Sequence, residues 1–390
     1  MPLPELTPQA GNPAVAATTS STSVKQVLVR PSTWNNRPNN DMFRRGYGFC
    51  GAYKRAFALW KELAAANGFE LNTWDLKPLE EADVVWFIDM PAAKREVVEA
   101  RKKAKRAIFV LQVLESPILG PHFCHRKNHD LFDAVLTYDR AACDESRCFL
   151  YCLPNTLELP KCNRPFADRR VLCMLNTNRV EGYFAVRKEG LAGLPVIGKV
   201  LGGWRLSLGD LLRPTRGDLY KERRKLARAA DLLADNPLDI YGRGWQGEQI
   251  SWCPLFRNAP YRCVRAGAVD DKLDLLAGYR FAVAFENYRG SRCWIGEKLF
   301  DALFAGTVPV YLGEERITDF TPAACFVDAR DFRTHRELLL YLRDCPEGQW
   351  RAMREAGQAF LRSEQMRPFT DEAFAERMVQ VLKTILANVP

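Results

Sequence analysis

Residues 285–313 read FENYRGSRCWIGEKLFDALFAGTVPVYLG. The stretch begins where one apolar run ends, residues 281–285 (FAVAF), and ends on another, residues 308–312 (VPVYL). Between them lies a helix-like segment at residues 297–305. Two buried strands joined through a helix form the crossover unit of a parallel sheet. Glu286 and Asn287 then fall at the carboxyl edge of the first strand, where open α/β sheets take their ligands. Glu297 and Lys298 open the helix, whose inner face is Leu299, Leu303 and Phe304. The positive end of that helix points at the same crevice. A lysine there suits phosphate oxygens, and a carboxylate suits sugar or ribose hydroxyls. A helix-starting salt bridge beside a polar loop accounts for the same residues equally well.

The alternation extends outward. Toward the N-terminus from this unit, residues 171–175 and 238–241 read as strands and residues 219–234 as a helix rich in Arg and Lys. Residues 179–217, with several Gly and Pro, resemble an insertion between the first of these strands and its helix. A separate alternation fills the first half. Residues 26–30, 69–74, 82–88, 107–113 and 131–138 read as strands, residues 49–67 as an amphipathic helix, and residues 95–105 as a charged one. The chain therefore divides into two α/β domains, residues 25–165 and 166–365, each with a parallel sheet wrapped by helices. Residues 1–24 are rich in Pro, Ala, Ser and Thr and read as a disordered tail. Residues 366–390 hold an amphipathic helix with Phe374, Met378, Leu382 and Ile385 at helical spacing, able to cross back and brace the first domain.

The chain has 390 residues, of which 47% are hydrophobic and 26% charged, which excludes coiled-coil, collagenous and disordered classes. Its formal charge of +9 is spread along the chain and suits an anionic ligand such as a nucleotide diphosphate. No reading helix or aromatic-basic array points to nucleic acid. The basic run at residues 94–106 reads as a solvated helix face. The 12 cysteines have irregular spacing, without a CxxC pair, and fit reduced thiols in a cytoplasm. The first basic residue is Lys25, so no secretory signal is expected, and no apolar run reaches the ~20 residues of a membrane span. A cytoplasmic location follows as the expectation, with peripheral contact to the inner face of a membrane left open.

The order FEN, an aromatic residue three positions before Glu-Lys, a helix, and then AGTVPVYLG resembles the donor motif of the α1,3/α1,4-fucosyltransferases of glycosyltransferase family 10. Residues 114–117 (LESP), followed by LFDAVLTYD, are similar to that family's acceptor-domain segment. The basic helix before DIYGRGW matches more loosely. The resemblance covers roughly residues 80–345. It implies a GT-B architecture: two Rossmann-like domains facing a cleft. It also implies inverting transfer of L-fucose from GDP-β-L-fucose to a hydroxyl of an oligosaccharide or lipid-linked glycan. By the same resemblance Glu115 falls on the catalytic base, and Arg223, Asn287, Trp294, Glu297 and Lys298 on donor-site positions. Arg224 competes with Arg223 for the diphosphate, and Glu286 and Tyr241 are further donor-side candidates. Side chains take the place of a metal in this scheme, so no divalent ion and no cofactor is expected.

The sequence departs from the family at Gly296, where Thr is usual, at Trp294 for Tyr, and at Tyr288 for a small residue. On the acceptor side Trp34, in STWNNRPNN, and His122, in PHFCHRKNH, are the candidate contacts. Another GDP-deoxyhexose as donor, or a non-catalytic glycan- or nucleotide-binding protein, are the competing readings. Acceptor identity, linkage and oligomeric state are not legible.

Overall fold

The computed structural model describes residues 24–32, 37–45, 53, 55–91, 93–118, 126–158, 164–178, 217–245, 261–265, 269, 271–290 and 293–387. The expected tail, most of the insertion, and the candidates Trp34 and His122 lie outside the described residues.

The first sheet contains β1 (Lys25–Arg30), β2 (Phe69–Thr73), β3 (Val84–Ile88), β4 (Ile108–Gln112), β5 (Ala134–Thr137) and β6 (Cys148–Leu150). The strands are all parallel, in the order β2-β1-β3-β4-β5-β6. β3 (VVWFI) and β5 (AVLT) are buried at every position, as parallel strands covered on both faces must be. Helix α1 (Ala56–Ala66) covers one face, with Phe57, Trp60 and Ala64 buried. It starts later than the sequence pattern predicts. α2 (Lys94–Lys103) buries only Val97 and Ala100, so the basic run is a solvated face. α3 (Arg126–His129) is a single turn before β5. The sequence pattern does not reveal β6, three residues at the sheet edge.

The second sheet comprises β7 (Arg170–Leu175), β8 (Leu238–Tyr241), β9 (Tyr279–Phe285), β10 (Val308–Leu312) and β11 (Val327–Asp328), in the order β11-β10-β9-β7-β8. It too is parallel throughout. Pro309 is tolerated within β10 because pairing with β11 starts only at Val310. The helices are α4 (Tyr220–Asp231), α5 (Lys272–Ala277), α6 (Glu297–Phe304), α7 (His335–Asp344) and α8 (Glu347–Phe360). The Ala-Gly-Thr after α6 is its C-terminal cap. Gly306 has φ +63, its N–H donates to the Leu303 carbonyl (3.0 Å), and Thr307 N–H donates to that of Ala302 (2.9 Å). That part of the motif stops a helix and turns the chain into β10.

Helix α9 (Asp371–Ala387) returns to the first domain and packs on α1. Phe374 meets Phe57 edge-on at 5.5 Å, and Met378, Leu382 and Ile385 join the first domain's core. Arg377 Nε donates to the Leu150 carbonyl (2.9 Å), and Asn155 N–H donates to that of Phe369 (2.7 Å). The two domains also meet through Trp294, which is buried in the first domain's core cluster. Nearby, the Cys152 and Cys293 sulfurs lie 3.7 Å apart.

In both sheets the strand order reverses beside the first strand, between β1 and β3 and between β7 and β9. Such switch points open a crevice at the carboxyl ends of the strands. Ser32, Asp89 and, one strand further, Glu115 border the first crevice. Asn176, Glu286 and Asn287 border the second.

Candidate active site

The donor-side residues follow from how β9 ends. Arg223, on α4, is buried and its Nη2 donates to the Phe285 carbonyl (2.5 Å) and to Asn287 Oδ1 (2.9 Å). Its guanidinium lies over the Tyr220 ring at 4.6 Å, and its Nε is buried without a hydrogen-bond partner among the described residues. Burial holds its pKa below the ordinary value, opposed by Tyr220 and by the carboxylates of Glu286 and Glu297. Arg224 is also buried, but one residue on turns it about 100° around the helix. Arg223 is therefore the arginine tied to the end of β9.

Glu297 and Lys298 form an ion pair at 2.9 Å at the start of α6. Burial alone would raise the Glu297 carboxyl, but Lys298 and Lys272 hold it down to about 2. Burial would lower Lys298, but Glu297 and Glu286 outweigh it and keep the ammonium charged. Glu286 is fully buried. Its Oε1 accepts the Gly296 N–H at 2.7 Å, and its Oε2 stands 3.9 Å from Lys298 Nζ. The carboxylate thus faces inward and anchors the start of α6, where Gly296 has no side chain to cap the helix. A direct donor contact by Glu286 is not what this geometry offers.

Two other candidates are also turned away from an open donor surface. Trp294 is 6% exposed and packs edge-on against Tyr138 of the first domain at 4.5 Å. It wedges the domains together instead of presenting a free ring face. Tyr241 folds back along the sheet, and its hydroxyl is 2.8 Å from that of Tyr279, which donates to Asp239. Sequence reasoning missed Asn176, just past the end of β7, whose buried Oδ1 has no hydrogen-bond partner among the described residues. Its position directly after a strand was the available signal.

On the facing side, Glu115 follows β4. Its peptide is held from both ends: the N–H donates to Asp89 Oδ1 (3.0 Å) and the carbonyl accepts from Tyr138 Oη (2.9 Å). The side-chain Oε1 accepts the Ser116 N–H at 2.9 Å. Burial pushes the carboxyl up to about 7. The Ser116 N–H opposes this, Asp89 adds to it, and Lys298 and Glu297 act on it from across the domains. A carboxylate of the first domain therefore shares an electrostatic site with the Glu-Lys pair of the second. A cavity of about 350 Å³, reached from Glu115 through Tyr138, is lined by Pro117, His129, Thr137, Tyr138 and Arg147 from the first domain and Tyr288 from the second; Glu115 itself does not line it.

Two Rossmann-like domains with parallel sheets and facing carboxyl edges define the GT-B class of glycosyltransferase fold. A solved structure agrees: the crystal structure of an alpha1,3-fucosyltransferase with GDP superposes with a TM-score of 0.52 at 15% identity, covering 97% of this chain and 95% of that one. Residues 219–351 match the family described as glycosyltransferase family 10 (fucosyltransferase) C-term. Alpha-(1,3)-fucosyltransferase 7 of Mus musculus is 37% identical over 136 residues, 34% of this chain and 30% of that protein. Alpha-(1,3)-fucosyltransferase FucT of Helicobacter pylori is 36% identical over 115 residues, 29% of this chain and 24% of that protein. The matches thus span about 30% or less of these curated relatives.

Proposed function

We propose that the chain is an inverting fucosyltransferase that moves L-fucose from GDP-β-L-fucose to a hydroxyl of a glycan, α1,3 or α1,4 linkage being the expectation. One observation carries the reading: Glu115 at the edge of the first sheet lies within electrostatic reach of the Glu297–Lys298 pair at the edge of the second. The family match of residues 219–351 supports the donor class.

In this reading Glu115 takes the acceptor hydroxyl proton as the oxygen attacks the anomeric carbon. A carboxyl near 7 is matched to that task at neutral pH. The bond from C1 to the diphosphate breaks on the opposite face, and GDP leaves with added negative charge. Lys298 and Arg223 stabilise that charge more in the transition state than in the ground state, in a buried setting where charges act strongly. Glu297, ionised throughout, balances Lys298 and offers oxygens to sugar or ribose hydroxyls. The cavity lined by Tyr138 and Pro117, two residues on from Glu115, is the candidate room for the acceptor. With two cations at the leaving group, the reaction is proposed to run without a divalent metal or cofactor.

Calorimetric titration with GDP, GDP-fucose, GDP-mannose and UDP-galactose in EDTA tests the donor reading. Binding of GDP and GDP-fucose, and none of UDP-galactose, is the expected outcome. Failure to bind any guanine nucleotide removes the assignment.

A further inference from the structure

We propose that Asp89 is the positioning residue of the catalytic base: its buried carboxylate fixes the Glu115 peptide from behind and sets a second negative charge beside it. This rests on the reading of Glu115 as the base.

Asp89 ends β3 with φ +57, the left-handed conformation that Asp tolerates better than most residues. That turn sends its carboxylate sideways to the end of β4. Oδ1 accepts the N–H groups of Leu114 (2.7 Å) and Glu115 (3.0 Å), and Oδ2 accepts from Ser32 Oγ (3.0 Å). The Asp89 N–H donates to the Gln112 carbonyl at 2.8 Å. One side chain thus ties the ends of β1, β3 and β4 together behind the base, while Tyr138 holds the other end of the Glu115 peptide.

None of these bonds requires a charge. An asparagine would keep its oxygen for both backbone N–H groups and turn its amide toward the Ser32 hydroxyl, which can accept. Yet the residue is a carboxylic acid that is 2% exposed. Burial raises the Asp89 carboxyl to about 6, opposed by the Leu114 and Glu115 N–H groups, by Ser32 and, least, by Arg30, whose guanidinium is bound to Glu96 at 2.9 Å, so it carries a charge at neutral pH. A buried charge that geometry does not need points to an electrostatic role. Its neighbour is Glu115, and a like charge there raises the proton affinity of the base. Among the described residues, the charged and titratable groups acting on Glu115 include Asp89 just after β3, Glu297 and Lys298 from α6, Tyr53 ahead of α1, and Tyr138 on its carbonyl. Asp89 and Glu297 raise its proton affinity, and Lys298 lowers it.

Two substitutions separate placement from charge. Asp89→Ala removes both, and kcat at the pH plateau should fall by roughly ten- to a hundredfold with GDP affinity unchanged, since a displaced base loses its alignment. Asp89→Asn keeps the bonds, so the plateau should stay within a few-fold of wild type while the acid limb of kcat/KM moves to lower pH by roughly one unit. The second readout does not depend on activity: the pH titration of the Glu115 carboxyl stretch by difference infrared spectroscopy, assigned by its loss in Glu115→Gln. Its midpoint should fall in Asp89→Asn. Wild-type kcat in Asp89→Ala, or an unmoved infrared midpoint in Asp89→Asn, overturns the proposal. If Glu115→Gln transfers fucose as well as wild type, the base itself is misassigned and this inference goes with it. If GDP binds but the wild type transfers to no acceptor, the catalytic reading fails, while the infrared shift still decides whether Asp89 tunes Glu115.

Discussion

At the scale of single residues, Glu115 and Lys298 illustrate two opposite uses of burial. Burial raises the Glu115 carboxyl toward neutrality, whereas Lys298, equally withdrawn from water, stays charged because two carboxylates surround it. In the proposed mechanism transfer needs Glu115 deprotonated. Its raised value means that the base is lost as pH falls through about 7, so kcat/KM should climb with pH up to that point and then level. Glu115→Gln should abolish the limb and reduce kcat by roughly a hundred- to ten-thousandfold, with GDP binding intact by calorimetry. Lys298→Ala acts on the other partner. GDP affinity itself should fall by roughly ten- to a hundredfold, the range for a lost charge-assisted bond to phosphate. It should also leave Glu286 buried without its neighbouring cation, so a lower melting temperature should accompany the loss.

At the scale of elements, much of the long motif is architecture. Ala305, Gly306 and Thr307 close α6, and Glu286 anchors its start, so the helix is pinned at both ends and Lys298 is carried between them. Helix α9 does comparable work for the first domain. Its apolar stripe was visible at residues 371–389, but a stripe does not name its partner. The partner is α1, through Phe374 against Phe57, and Tyr151, just past β6, packs on the same ring. Phe374→Ala should cost about 3–5 kcal/mol by denaturant unfolding, the range for emptying a buried aromatic site. A loss under 1 kcal/mol would mean that α9 is only loosely attached. GDP affinity, which belongs to the other domain, should be nearly unchanged in the folded variant.

At the scale of the whole molecule, the coupling of the two domains is concentrated near Trp294. The ring is packed in the first domain's core while its backbone belongs to the donor loop, and Tyr138 connects it to the Glu115 carbonyl. In the proposed reading this chain of contacts would connect donor binding to the alignment of the base. Scanning calorimetry of the wild type should give one cooperative transition, raised by GDP through mass action. Trp294→Ala should split it into two, with GDP raising only one. A single GDP-sensitive transition in the variant would show that the other contacts, including α9, suffice to couple the domains.

What the sequence determined by itself was whatever depends on near neighbours along the chain. Strands such as residues 238–241 and 308–312, the helix opening at Glu297 and the division into two parallel-sheet domains were readable because local periodicity reports burial. The Glu-Lys pair was readable as candidate chemistry from its place at a helix start, whereas the LESP segment stood out only through its resemblance to the family's acceptor-domain segment. Tertiary structure alone decided which of these residues meet. It brought Glu115 within electrostatic reach of Lys298, two residues almost two hundred positions apart. It turned Trp294 inward, laid Tyr241 back onto Tyr279, buried Glu286, and separated Arg223 from Arg224 by a rotation that composition cannot express. It also brought in Asp89 and Asn176, which carry no motif. The physical reason is directional: the sequence fixes which positions are polar or apolar, but where a side chain points depends on strand order and on how the two sheets face each other.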